Sequence, residues 1–306
     1  MTLLALAASS LAIAAPAAYK PDLTPGLCRA VAARPGLDQQ HVVGEFRILY
    51  ALSGPDALPD AADQNGNGVP DRIDDLAAQL TTARDFYNAA LGLTPPLRQP
   101  RYRRAQAIRV TVRAMTGHNG LAFDEVIRSS PSACVIGIAV NRALTFDHNP
   151  TAAHELFHLY QYGYAMFKRG WYLEGMARWI EQAFLPVAAP LALVRDVAEC
   201  RSVFGLSYGA ATFWRALASR AAPVLAPPAL RSRVYHSGGA ILRDKPFTGA
   251  SAVRPMLEAL ARRSDEIADR AGIARYGFAE REQTAARHDA MLCAAVEQAV
   301  ASPAHR

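Results

Sequence analysis

Residues 149–177 read NPTAAHELFHLYQYGYAMFKRGWYLEGMA, and this stretch sets the architecture. Asn149 can cap a helix, with Pro150 at the first helical position, where its missing N–H is no loss. That helix is expected to reach about Met166. Gly170 punctuates the chain, and a second helix is expected over Trp171 to Leu185, stopped by Pro186. The first helix contains His154-Glu155-Leu156-Phe157-His158. Positions i and i+4 share a helix face, so both imidazoles can meet one metal ion while Glu155 points to the adjacent flank. A zinc ion held this way keeps an open position for water. It lowers the pKa of that water to about 7, and a neighbouring carboxylate can then take its proton. Eight His and eleven Glu in 306 residues give a shuffled chain well under one such motif. The apolar flanks Ala152, Ala153, Leu156 and Phe157 place the turn in a core.

A third ligand is needed. The arrangement H-E-x-x-H-x-x-G-x-x-H requires glycine at position 161 and histidine at position 164, but the chain has Gln161 and Tyr164. Glu174 is the better candidate. The fifteen residues between His158 and Glu174 let the helix end, turn and return antiparallel, and Gly175 and Ala177 are small enough for two helices to approach closely. Two other carboxylates compete, Glu181 and Asp147.

Before residue 149 the periodicity is that of strands. Glu45 to Leu52 alternates, with Phe46, Ile48 and Tyr50 on one face. Ala107 to Ala114 alternates strictly, and Ala133 to Val140 is a nearly continuous apolar run whose edge is expected to receive an extended peptide. Asp74 to Leu91 carries Leu76, Leu80, Tyr87 and Leu91 at helical spacing. Further helices are expected at 206–221, 251–263 and 284–300. Strands first and helices later argue for an α+β fold, with a mostly antiparallel or mixed N-terminal sheet, an active-site helix and a helical C-terminal half.

Composition narrows the classes. Hydrophobic residues are 51% of the chain and charged residues 20%, so a disordered or fibrous chain is excluded. No apolar run beyond the N-terminus approaches the ~18 residues that span a bilayer, so stable membrane insertion is not expected. The net charge is +6, yet only Lys20, Lys168 and Lys245 are lysine and the arginines are scattered. A nucleic-acid binder would cluster them, so no nucleic-acid partner is expected. Leu3 to Ala14 has the length of a signal h-region, and Ala12-Ile13-Ala14 and Ala15-Pro16-Ala17 offer small-x-small cleavage sites. Residues 1–18 therefore read as a signal peptide and 19–42 as a linker or short pro-segment. A sheet subdomain is expected over 43–148 and a helical subdomain carrying the metal site over 149–300. Cys28, Cys134, Cys200 and Cys293 fit two disulfides in an oxidising compartment, with three pairings open. A secreted or periplasmic location follows.

Residues Asp63 to Asp74 match a twelve-residue calcium loop. Oxygen side chains fall at Asp63, Asn65, Asn67, Asp71 and Asp74, Gly68 stands where the turn must be sharp, and Val69 offers a carbonyl.

H-E-x-x-H followed by a helix with Glu174-Gly175-Met176-Ala177 resembles the gluzincin metallopeptidases. Phe46-Arg47-Ile48-Leu49-Tyr50, Ser53-Gly54-Pro55-Asp56-Ala57 and Asn65-Gly66-Asn67-Gly68-Val69-Pro70-Asp71 extend the likeness. Together they resemble a family of secreted bacterial metalloproteases that carry an NGVPD segment ahead of a zinc helix. The resemblance covers roughly residues 44 to 215. It implies a zincin-like fold, a peptide or protein substrate, His154, His158 and Glu174 as zinc ligands and Glu155 as general base. Many gluzincins orient the first His with a carboxylate four residues after the ligand Glu; here that position is Arg178, which leaves Glu181 to substitute. Tyr208 is the candidate oxyanion donor, with His236 as second choice. Two further readings are compatible with these residues: a non-catalytic secreted module that binds calcium and zinc structurally, and a zinc hydrolase acting on a non-peptide substrate.

Overall fold

In the computed structural model, residues 28–30, 36–130, 132–185 and 199–301 are described. The expected signal peptide lies outside them. The alternating run Phe46–Tyr50 forms strand β2, after strand β1 (Gln39–Val43), to which it pairs antiparallel around a turn with Gly44 at φ +53°. The sheet thus begins inside the stretch read as linker. Helix α1 (Asp71–Asp85) follows, starting three residues earlier than the apolar spacing implied, because Asp71 and Asp74 favour the positive end of a helix. Then come β3 (Ala107–Arg113), β4 (Gly120–Ser130) and β5 (Ala133–Asn141).

The sheet is mixed, in the order β1-β2-β3-β5-β4. β2–β3 and β3–β5 are parallel, while the outer pairs β1–β2 and β4–β5 are antiparallel. Two corrections follow. β5 is hydrogen-bonded on both sides and presents no edge to a peptide; its continuous apolar run is the mark of a central strand. The edge on this side of the sheet belongs to β4, which periodicity missed. Its register shifts between Phe123 and Ile127 and again after Arg128, and a bulged strand loses the strict alternation that announces a strand. Near Ile127 the outer side of β4 takes a short parallel bridge from Arg29.

One sheet face, carrying Phe46, Ile48, Ile108, Val110, Val112, Ile136, Ile138 and Val140, enters the main core. Helices α1 and α2 (Thr151–Tyr164) belong to the same core, and α3 (Gly170–Ile180) joins them. A 3-10 turn, Glu181–Phe184, extends α3. The C-terminal half adds α4 (Ala211–Ala218), a short α5 (Pro228–Arg231), the long α6 (Ala250–Ala271), a short α7 (Glu280–Gln283) and α8 (Asp289–Ala301). The fold class is α+β. Of the three possible pairings the fold brings together Cys28 with Cys134 and Cys200 with Cys293. The first ties the N-terminal segment to β5; the second staples a turn to α8. No helix among the described residues is long and apolar enough to cross a membrane.

Candidate metal centre

Helix α2 starts at Thr151, whose N–H donates to Asn149 Oδ1 (2.9 Å); Pro150 stands at the cap itself, one residue before the expected position. From there nearly every α2 side chain is buried, which marks a helix at the centre of the molecule. Buried polar groups on such a helix need partners. His154, His158 and Gln161 have them.

His154 Nε2 lies 3.2 Å from Glu174 Oε2, and His158 Nε2 lies 3.6 Å from the same oxygen. The two rings meet edge to face, with centroids 4.7 Å apart. Among the described residues these three form the group of His, Cys, Asp or Glu able to hold a metal ion, with donor atoms all within 4.8 Å of one another. Donor atoms gathered this closely could share one metal ion. Two imidazoles and one carboxylate are also a zinc-like donor set.

The far nitrogens are held differently. His154 Nδ1 is 2.6 Å from Glu181 Oε2, and Arg178 pairs with the other oxygen of Glu181. Of the carboxylates that compete with Glu174, Glu181 therefore sits behind His154, on the ring side away from Glu174 and one helix turn beyond Arg178. Asp147 pairs with His148 instead. His158 Nδ1 is 2.8 Å from Gln161 Oε1. Burial alone would raise the Glu174 carboxyl, but hydrogen bonds from both histidines outweigh it and hold the group well below the usual range. Burial would lower His154, yet its bonds to Glu174 and Glu181 push it up to about 10.

Glu155 is only 7% exposed, and no described residue hydrogen-bonds its carboxylate. Burial raises its pKa above the ordinary 4.5, offset by the neighbouring His158 and His154. It lies against Gly120 at the start of β4, where a Cβ would sit 2.5 Å from Glu155 Cγ. A carboxylate that is desolvated, unpartnered and beside a cation site is suited to take and return a proton.

Tyr208 opens the 3-10 turn Tyr208–Ala210 and is 56% exposed. Its ring centroid is 5.8 Å from that of His154. Burial of its hydroxyl and the facing Glu174 carboxylate push its ionisation up, so it remains a hydrogen-bond donor. Gly175 takes a different part from the one expected. A Cβ there would sit 2.7 Å from Ala210 Cβ, so its small size admits the Tyr208 turn against α3 rather than α2. His236 is engaged elsewhere, at the start of α1 with Asp71 and Asp75.

In the loop before α1, Asp63 accepts from the N–H groups of Asn67 and Gly68, and the Asn65 and Asn67 amides donate to Asp74 Oδ2. The Val69 N–H donates to Asn67 Oδ1, and Asp71 turns back to the Gln64 N–H. Asp63, Asp71 and Asp74 do not close into a group like the His/His/Glu triad.

Sequence reasoning missed Gln161 and Gly120. Gln161 shows no signal beyond its place three residues after His158. Gly120 is one glycine in a stretch with no clear period. The chain and its fold match no family model, no curated protein and no solved structure. Fold and site together define an α+β protein with a buried His/His/Glu triad fit for a metal ion.

Proposed function

We propose that the chain is a secreted, gluzincin-type zinc metallopeptidase that hydrolyses peptide bonds. The observation carrying this reading is the convergence of His154, His158 and Glu174 beside the buried, unpartnered carboxylate of Glu155. The three ligands would hold the zinc. A bound zinc supplies a Lewis acid that polarises the scissile carbonyl and acidifies water. Glu155 takes the proton of the attacking water as the new C–O bond forms, and hands it to the amine nitrogen as the C–N bond breaks. Tyr208 donates its O–H to the oxygen that gains charge. The Gly120 end of β4, an edge strand beside Glu155, is where an extended peptide would add, which favours a peptide substrate over a compact one. The two disulfides fit an oxidising compartment. Calcium binding at Asp63, Asn65, Asn67, Val69, Asp71 and Asp74 belongs to the same proposal, supported by the way Asp63 and Asp74 gather the loop.

Glu155→Gln tests the assignment. The purified variant should bind zinc stoichiometrically and lose hydrolysis of a casein-type substrate by at least ~100-fold. Unchanged turnover would remove Glu155 from its role. Zinc binding without turnover in the wild type, against a broad peptide library, would favour a structural metal module or a non-peptide hydrolase. Tyr208→Phe should lower kcat more than it raises KM. Calcium should raise Tm at millimolar concentration, and Asp63→Ala should abolish that rise.

A further inference from the structure

Gln161 is fully buried, and each of its side-chain atoms faces one partner set. Nε2 donates to the carbonyls of Tyr172 (3.2 Å) and Leu173 (3.3 Å), the two residues before Glu174. Those carbonyls can only accept, so the amide nitrogen must face them and Oε1 must face His158. Oε1 stands 2.8 Å from His158 Nδ1. An amide oxygen can only accept, so His158 Nδ1 carries a proton, and Nε2, on the side of Glu174, is the nitrogen left to take a metal ion.

We infer that Gln161 is a positioning residue that couples two metal ligands across two helices. On α2 it fixes the tautomer and tilt of His158; on α3 it fixes the backbone from which Glu174 projects. This rests on the metal-site reading above and deepens it. The two histidines then have unlike supports. His154 leans on an anion, Glu181, with Arg178 at its back. His158 leans on a neutral amide that spends its other end on α3. A carboxylate at 161 would put negative charge against two carbonyl oxygens; an apolar side chain would leave the buried His158 N–H without its acceptor and remove the tie to α3. Glutamine is the side chain of this length that satisfies all of them.

The test compares zinc affinity, by competition with a chromophoric chelator, and the visible spectrum of the cobalt-substituted protein. The variants are Gln161→Met, Gln161→Glu and a control, Gln283→Met. Gln283 is another buried glutamine, whose Nε2 holds Phe278 O away from the centre. Gln161→Met should weaken zinc binding about 10- to 100-fold and change the cobalt bands. Gln161→Glu, which keeps an acceptor for His158 but loses the tie to α3, should fall between it and the wild type. Gln283→Met should lower Tm and leave both metal readouts alone. Wild-type zinc affinity and cobalt bands in both Gln161 variants, with only Tm reduced, would overturn the proposal. Nitrogen NMR of the zinc-loaded wild type reads the tautomer without any substitution; metal on His158 Nδ1 would also overturn it. A wild-type chain that binds no zinc would instead refute the metal site itself.

Discussion

Gly120 and Glu155 are packed so closely that a methyl group on Gly120 would stand 2.5 Å from Glu155 Cγ, 2.6 Å from its Oε1 and 2.7 Å from Thr151 Cγ2. The first residue of the edge strand thus leaves the space that the proposed base occupies. Both elements are fixed, one by the β5 ladder and the other by the core, so the side chain of Glu155 would have to yield.

Gly120→Ala should therefore turn Glu155 out of place while the triad survives. The expected result is a fall in kcat of roughly 10- to 100-fold, as for a displaced catalytic group, with zinc content unchanged. Stability should drop by about 1–3 kcal/mol from overpacking. Wild-type kcat in a folded Gly120→Ala protein would show that Glu155 does not need its observed position.

Glu181 supplies the anionic support of His154 that position 178 lacks. Glu181→Ala leaves a buried imidazole N–H unmatched and frees Arg178. Zinc affinity should fall about 10- to 100-fold, and Arg178→Ala should have a smaller effect, because Arg178 is 38% exposed and touches no ligand itself. Equal effects of the two substitutions would mean that the ion pair, not the contact to His154, matters.

Asp124, on β4, sits between Arg101 and Lys168. Burial would raise its carboxyl, but the two cations hold it below the ordinary 3.8. A carboxyl depressed in the folded state stabilises the fold above the unfolded value, and that contribution is lost as pH falls through the folded value. Asp124→Asn should cost roughly 1–3 kcal/mol at pH 7. The gap from the wild type should persist to about pH 5 and close in the acid range below 3.8. Urea unfolding at pH 7, 5 and 3 measures it; a gap that widens toward acid would contradict the assigned charge state.

The triad was readable from the chain because its logic is local. Two histidines four apart must share a helix face, and a second helix after a short turn must return beside the first. What the readable pattern could not convey was which groups stand behind the ligands. In the sequence Glu181 is one of several carboxylates, and Gln161 stands out only as a residue that is not glycine. The small size of Gly175 says that something comes close but not what, and the close neighbours are Ala210 and Trp214. The central strands announce themselves by alternation in β2 and β3 and by a continuous apolar run in β5, whereas bulged β4 does not, so periodicity points to β5 for the peptide edge.

Sequence alone determined the α+β order of elements and the shared face of His154 and His158 on α2, because helix and strand periods fix side-chain direction within an element; among Glu174, Glu181 and Asp147 it offered candidates. Tertiary structure decided the pairing of Cys28 with Cys134 and Cys200 with Cys293, the edge position of β4, the seat of Glu155 against Gly120 and the amide bridge of Gln161. Each of these joins residues far apart in the chain, or on different elements. Such contacts depend on how whole elements pack, a sum over many side chains that no local period records.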